Sequence, residues 1–430
     1  MSAASRDKQR PSRRGFLLGA AGGLAAGMAA NARAATPVPA PAALPEAPAD
    51  TEPFWGVHQA GIVTPPQSHT YYAAFDLVTA KRAEIVALLQ RWTEAAARLT
   101  AGETAASLDL DPGKPDADSG EAMGLKPARL TLTFGFGAGL FIKDGKDRYG
   151  LAAHRPAALA DLPRFNGDQL QAARGGGDLA IQACADDPQI AFHAVRQLAR
   201  LAYGAADIRW AQAGFTPEPG AKRTPRNLMG FKDGTGNPVA DDAKAMAKLI
   251  WVGDEGPDWM RGGSYVVMRR IRIALEHWDR MKLGFQEQTV GRHKYSGAPI
   301  GLKQEFDTLD LDTADKDGNP LIAENAHVRL AAAVSNDGAQ ILRRGYSYND
   351  GVNFTAERWP PWRQGMEYDA GLLFVCYQRD PRTGFIKIFD RMAKFDMMNQ
   401  FVTHTAGALF ACPGGAAEGE FIGQRLFTSI

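Results

Sequence analysis

Hydrophobic positions first fall into order at residue 70, where a strand-like TYYAAFDLV (70–78) runs into AKRAEIVALLQRWTEAAARL (80–99). In the second stretch Ile85, Leu88, Leu89 and Trp92 recur at helical spacing and share one face, which predicts an amphipathic helix. A polar insertion rich in Pro, Gly and Asp (102–124) interrupts the pattern, and ARLTLTFGFG (128–137) restores it as a strand. GDLAIQACA (177–185) predicts another strand. DPQIAFHAVRQLARLAYG (187–204) predicts a helix, with Asp187 as N-cap and Pro188 at the first helical position, where a missing N–H costs nothing.

The order then repeats. GGSYVVMRRIRIAL (262–275) reads as a strand like the first, and AGLLFVCYQRDPRTGFIKIFDRMAKF (370–395) reads like 177–202: strand, Asp-Pro, helix. Aligning Tyr72 on Tyr265 and Pro188 on Pro381 gives one offset, 193 residues, at both anchors. A shared offset argues for an internal duplication. Strands alternating with helices in each half predict an α+β chain of two ferredoxin-like modules, with antiparallel sheets and helices packed outside them. The modules are expected at 54–215 and 216–430.

Composition narrows the class. The 430 residues are 45% apolar with a formal net charge of +1, enough for two ordinary cores and no reason to expect nucleic acid or an anionic membrane as partner. The first 34 residues have the build of an export signal: a basic start, an uncharged run from Gly15 to Ala32, and the small-residue site Ala32-Arg33-Ala34. The adjacent Arg13 and Arg14 of SRRGFL, with a run only mildly hydrophobic, favour a twin-arginine signal over an ordinary secretory one, and hence a periplasmic protein. Residues 35–53, with six prolines, read as a linker. No later run is long enough to span a membrane. Cys184, Cys376 and Cys412 are widely spaced and include neither CxxC nor CxxCH, which leaves zinc ribbons and covalent haem unsupported and a disulfide possible but not required.

The chemistry concentrates in NLMGFKDGTGNP (227–238), which hangs Asp233 in a glycine loop behind Leu228, Met229 and Phe231. A carboxylate so placed is either a positioned acid/base or the stabiliser of an Asx-turn. A phosphate-cradling loop is excluded because no G-K-[ST] follows. Two further segments bear on the choice: ENAHVRLAA (324–332) sets His327 before an apolar run, and AQILRRGYSYNDG (339–351) ends a strand-like stretch with Arg343 and Arg344. An imidazole that can ligate haem iron, an acid and a guanidinium together make a peroxide-cleaving set.

These segments, with HQAGIVTP (58–65) and TFGFG (133–137), closely resemble the dye-decolorising peroxidase family, in the twin-arginine-exported branch also described as deferrochelatase. The resemblance implies two ferredoxin-like modules of the dimeric α+β barrel type and non-covalent haem b held mainly by the C-terminal half. It places the distal acid on Asp233, the proximal iron ligand on His327 and the distal arginine on Arg343, with Arg344 as the neighbouring alternative. Gly234, Thr235 and Gly236 match the loop along the haem edge, and Arg343 also borders the cofactor. Some members carry an asparagine two residues after the distal arginine; here that position is Gly345. The implied partners are hydrogen peroxide, an aromatic or dye-like electron donor or haem itself as substrate, iron-uptake proteins, and a second copy in a dimer.

Three functions follow as expectations: a haem peroxidase, a deferrochelatase that releases iron from haem, and a haem carrier without turnover. An intact acid–arginine pair argues against the carrier. A near-miss calcium loop at Thr313, Asp315, Asp317, Gly318 and Glu324 lacks a first carboxylate and contains Pro320, so it reads as a solvated turn.

Overall fold

The computed structural model describes residues 50–109, 111–217, 224–356 and 364–428; the export signal and most of the linker lie outside them. Nine strands are found among the described residues: β1 (His69–Leu77), β2 (Thr131–Phe136), β3 (Leu179–Ala185), β4 (Ala206–Phe215), β5 (Ser264–Ile273), β6 (Leu342–Arg343), β7 (Tyr346–Ala356), β8 (Gln364–Gln378) and β9 (Val402–Cys412). Each pairing is antiparallel. The hydrogen-bonded order is β5-β9-β2-β3-β1-β4-β7-β8-β6, and a further β5–β8 pairing closes it into a barrel. The first four strands run β2-β3-β1-β4. In the second set β9-β5-β8 repeats that order, and β6 and β7 lie end to end along β8 as the outer member. The duplicated α+β expectation therefore describes the observed architecture.

The ladders within each half are long, whereas the joints between halves are short. β2 meets β9 through Phe136 and Ala411, and β4 meets β7 through Phe215 and Ser347. Apolar side chains supply what the joints lack. Tyr72, Trp210, Met268, Val375, Tyr377 and Phe410, drawn from both halves, fill the barrel interior as one cluster. Gly371 makes the β5–β8 crossing possible, because a Cβ there would sit 1.9 Å from the Ile271 carbonyl oxygen.

Helices cover the outside. Arg82–Thr100 buries Ile85, Leu88, Leu89 and Trp92 against the first half, on the face its spacing predicts. Pro188–Leu201 packs beside it, and the Asp187 carboxylate caps it by accepting from Gln189 N and Ile190 N at 2.7 and 3.3 Å. The matching Asp-Pro of the second half behaves differently. Asp380 is engaged by the Arg382 guanidinium at 2.6 Å, and the helix starts only at Phe385, behind Gly384. The Asp380 carboxylate still accepts from Arg382 N at 2.8 Å, the counterpart of Gln189 N, so the guanidinium adds an ion pair to a turn that the second half retains. The same segment also begins earlier than its spacing suggests, since β8 extends back to Gln364 to form a long hairpin with β7. The calcium-like loop is a turn in which Asp315 accepts from its own downstream amides, Asp317 N and Asn319 N.

Candidate functional site

The outer face of the second half does not close completely. Between β5, β8 and the helix Phe385–Phe395 lies a cavity of about 520 Å³. Ile271 and Ile273 of β5, Leu372 and Phe374 of β8, and Phe389 of the helix give it apolar walls. The opposite parity of the same strands, including Met268, Leu373 and Val375, faces the barrel interior, so strand alternation separates cavity from core.

His327 enters this cavity at the first position of a short helix, His327–Ala331. Its Nδ1 lies 2.7 Å from Oδ2 of Asp396. Asp396 is nearly buried at the end of helix Phe385–Phe395, and its other oxygen accepts from Met398 N at 2.8 Å. Both carboxylate oxygens are thus used, and the imidazole is held with a proton on Nδ1, the nitrogen that faces Asp396. Burial drives the His327 pKa down, but the adjacent Asp396 carboxylate outweighs it, and Asp233 adds to the upward pull while Arg343 opposes it. Those last influences place the loop acid and the arginine within electrostatic reach of the imidazole.

Asp233 and Arg343, 110 positions apart, meet in the same cavity, with Arg343 Nη1 donating to Asp233 Oδ1 at 2.6 Å. Asn227 Nδ2 approaches the other oxygen at 3.4 Å, and the Asp233 amide donates to Pro225 O at 2.8 Å. Gly234 adopts φ +130°, which a side chain would resist, and so turns the loop directly after the acid. Thr235 Oγ1 donates to Glu305 at 2.9 Å, and Gly236 lines the cavity with open space where a Cβ would stand. The bare Asx-turn role of Asp233 is not what this geometry contains, since its carboxylate serves a distant arginine.

Arg344 points the other way. It is buried at the barrel side, donating to Thr64 O and to the Gln67 side chain near Cys184 and Tyr346. The alternation of side chains along the chain sends neighbouring arginines to opposite faces. The cysteines are buried free thiols, and His58 stacks on Trp251 with ring centroids 3.7 Å apart, outside the cavity lining.

Four residues at the site were not anticipated. Asp396 pairs with His327. Asn237 clamps the Arg343 backbone, donating to its O at 2.7 Å and accepting from its N at 3.1 Å. Glu305 holds the loop through Thr235 and Lys232. His404 lines the cavity and accepts from Arg269 Nε at 3.2 Å. Asn237 lay within the recognised motif and was open to notice; the others sit in stretches without a local signature.

The chain is similar to known proteins along both halves. The model for Dyp-type peroxidase, N-terminal, matches residues 59–216, and that for Dyp-type peroxidase, C-terminal, matches residues 224–417. The chain is 39% identical over 447 residues to a dye-decolorizing peroxidase of Thermobifida fusca (strain YX), covering 98% of each chain. It is 37% identical over 398 residues to the deferrochelatase of Escherichia coli (strain K12), covering 90% of each. Among solved structures it is similar to ferric DtpA from Streptomyces lividans, with a TM-score of 0.77 at 43% identity over 88% of this chain and 97% of that one.

Proposed function

Since the chain belongs to the Dyp-type peroxidase family along both halves, we propose that it is a periplasmic haem b peroxidase reducing hydrogen peroxide and oxidising phenolic or dye-like donors. The observation that carries this is that His327, its Nδ1 held by Asp396, and the Asp233–Arg343 pair line one apolar cavity. The cavity fits haem on its own chemistry: apolar walls for the porphyrin, and an imidazole whose Nδ1 is held by Asp396, leaving Nε2 free to bind iron. When bound, haem supplies the redox-active iron.

The protein's residues do the rest. His327 would hold the iron, and the Asp396 carboxylate would make that imidazole a stronger electron donor. Asp233 would take a proton from peroxide at one oxygen and return it at the other, the general acid/base role. Arg343, bonded to Asp233, would stabilise the negative charge that develops as the O–O bond breaks. Gly234, Thr235 and Gly236 would run along the cofactor edge, and the paired arginines Arg13 and Arg14 would direct export.

Replacing His327 with Ala tests this reading. The variant should lose most non-covalent haem and its Soret band. Full retention of an unchanged spectrum would assign the ligand elsewhere.

A second reading is favoured by the 37% identity to deferrochelatase over 90% of the chain: haem enters the same cavity as substrate, iron leaves and the porphyrin stays intact, feeding iron uptake. Porphyrin fluorescence on incubation with haem, with and without peroxide, separates the two. A dimer of this chain remains part of the proposal through the family resemblance.

A further inference from the structure

The loop that carries Asp233 is bonded to a second segment that contains neither member of the acid–arginine pair. Glu305, largely buried, lies beneath the Asp233 loop and receives Lys232 Nζ on one oxygen and Thr235 Oγ1, at 2.9 Å, on the other. Thr224 is a further hydroxyl partner. The residues immediately before and two after Asp233 are therefore tied to one carboxylate. Arg292, which lines the cavity, fixes the Glu305 main chain, donating to Glu305 O at 2.9 Å and to Gly297 O at 2.8 Å. Gly297 lets the parts close together: at φ +79°, a Cβ there would come within 2.6 Å of the Lys232 side chain and 3.4 Å of Glu305 Cγ. On the far side Asn237 ties the same loop to the Arg343 backbone.

We propose that Glu305 is a positioning residue for the peroxide reaction, holding Asp233 at the bonding distance of Arg343 from outside the cavity. This rests on Asp233 being the acid/base. The carboxylate does not line the cavity, so it acts through Lys232 and Thr235. Two anchors flanking one residue restrain both its main-chain position and its direction, which a single anchor would not. Misplacement of a reacting group by about 1 Å can cost on the order of 10²-fold in rate, and that sets the scale expected when the anchor is removed.

The test is a cycle on the haem-loaded full chain, with Glu305→Ala and Glu305→Gln each made alone and with Asp233→Asn. Stopped-flow mixing with peroxide gives the rate of the Soret change, steady state gives the KM for a dye donor, and hydrogen exchange on the apoprotein reports the amides of 232–237. Glu305→Ala should slow the peroxide step about 10- to 100-fold, leave haem affinity and donor KM within about twofold, and speed exchange at 232–237. Glu305→Gln, which keeps an acceptor for Thr235 but loses the charge facing Lys232, should retain part of the rate and takes over the cycle if the alanine variant fails to fold. In the Asp233→Asn background neither change should slow the reaction further. Equal slowing in both backgrounds, an unchanged rate, or unchanged exchange would each overturn the proposal while leaving Asp233 its role. If Asp233→Asn itself costs nothing, the acid/base reading and the proposal fall together.

Discussion

Asp396→Asn separates the two tasks that one carboxylate performs. In the native protein Oδ2 accepts from His327 Nδ1 at 2.7 Å and Oδ1 accepts from Met398 N at 2.8 Å. An amide has only one oxygen. If that oxygen keeps the Met398 contact, the NH₂ group faces the Nδ1 proton, and two donors oppose each other. The imidazole escapes by moving its proton to Nε2, the nitrogen proposed to hold iron, and loses its anionic neighbour at the same time. Outer partners of metal-binding histidines typically matter by about 10–100-fold in affinity, or about 1.4–2.8 kcal/mol. Haem transfer from the variant to apomyoglobin, followed by the Soret band, measures this directly, and the ferric/ferrous potential should rise because the charge on the imidazole falls. Asp396→Ala should add a stability loss of about 0.5–2 kcal/mol from the cap at Met398, which urea unfolding of the apoprotein reads separately. Haem affinity and potential both unchanged in Asp396→Asn would refute the coupling.

Asp233→Asn should slow the peroxide step by about 10²–10⁴ and Arg343→Leu by about 10²–10³, with strongly non-additive effects in the double variant and haem retained in all three; stopped-flow spectroscopy decides, and no tenfold loss in either single variant would remove the pair from the mechanism. His404 is kept neutral, its pKa pushed well below the usual imidazole value by burial first and by the Arg269 charge second. A lowered histidine pKa means the unfolded chain takes up the proton, so stability falls as pH drops through about 6.5, by roughly 1 kcal/mol between about pH 6.5 and pH 5.5. His404→Asn, which keeps an acceptor for Arg269, should lack that loss in urea melts of the apoprotein at the two pH values. Replacing Arg13 and Arg14 with Lys should leave precursor in the cytoplasm, which fractionation and immunoblotting would show; unaffected export would return the signal to the ordinary secretory class.

Much of the fold was legible because it repeats. The 193-residue offset and the helical face of Ile85, Leu88, Leu89 and Trp92 are local patterns that burial then obeys. Closure of the barrel was not written in any local pattern, because β4 and β9 meet their neighbours across the half-to-half joints through single residue pairs. At the site, Asp233, His327 and Arg343 stood out through motifs, and which of Arg343 and Arg344 faces the cavity follows from alternation once the strand is seen. Asp396 was invisible for a physical reason: an aspartate after a helix looks like a turn-former, which it also is, and its second task depends on a partner 69 residues away. Glu305 was hidden likewise, 70 residues from Thr235 in a stretch of acidic turns.

The two halves answer the same architectural problem in opposite ways. On the first, Arg82–Thr100 and Pro188–Leu201 bring Trp92, Leu88 and Ile190 down onto Phe75 and Ile181, and the outer face is solid. On the second, the corresponding face stands open around His327, Asp233 and Arg343. A symmetric pair of identical subunits would have to keep both faces hollow or both filled, because every substitution would appear twice. Fusion into one chain releases that constraint. The filled copy is free to accumulate changes that favour packing alone, and it supports through the shared interior a sister copy that has given up part of its own core to make room for chemistry.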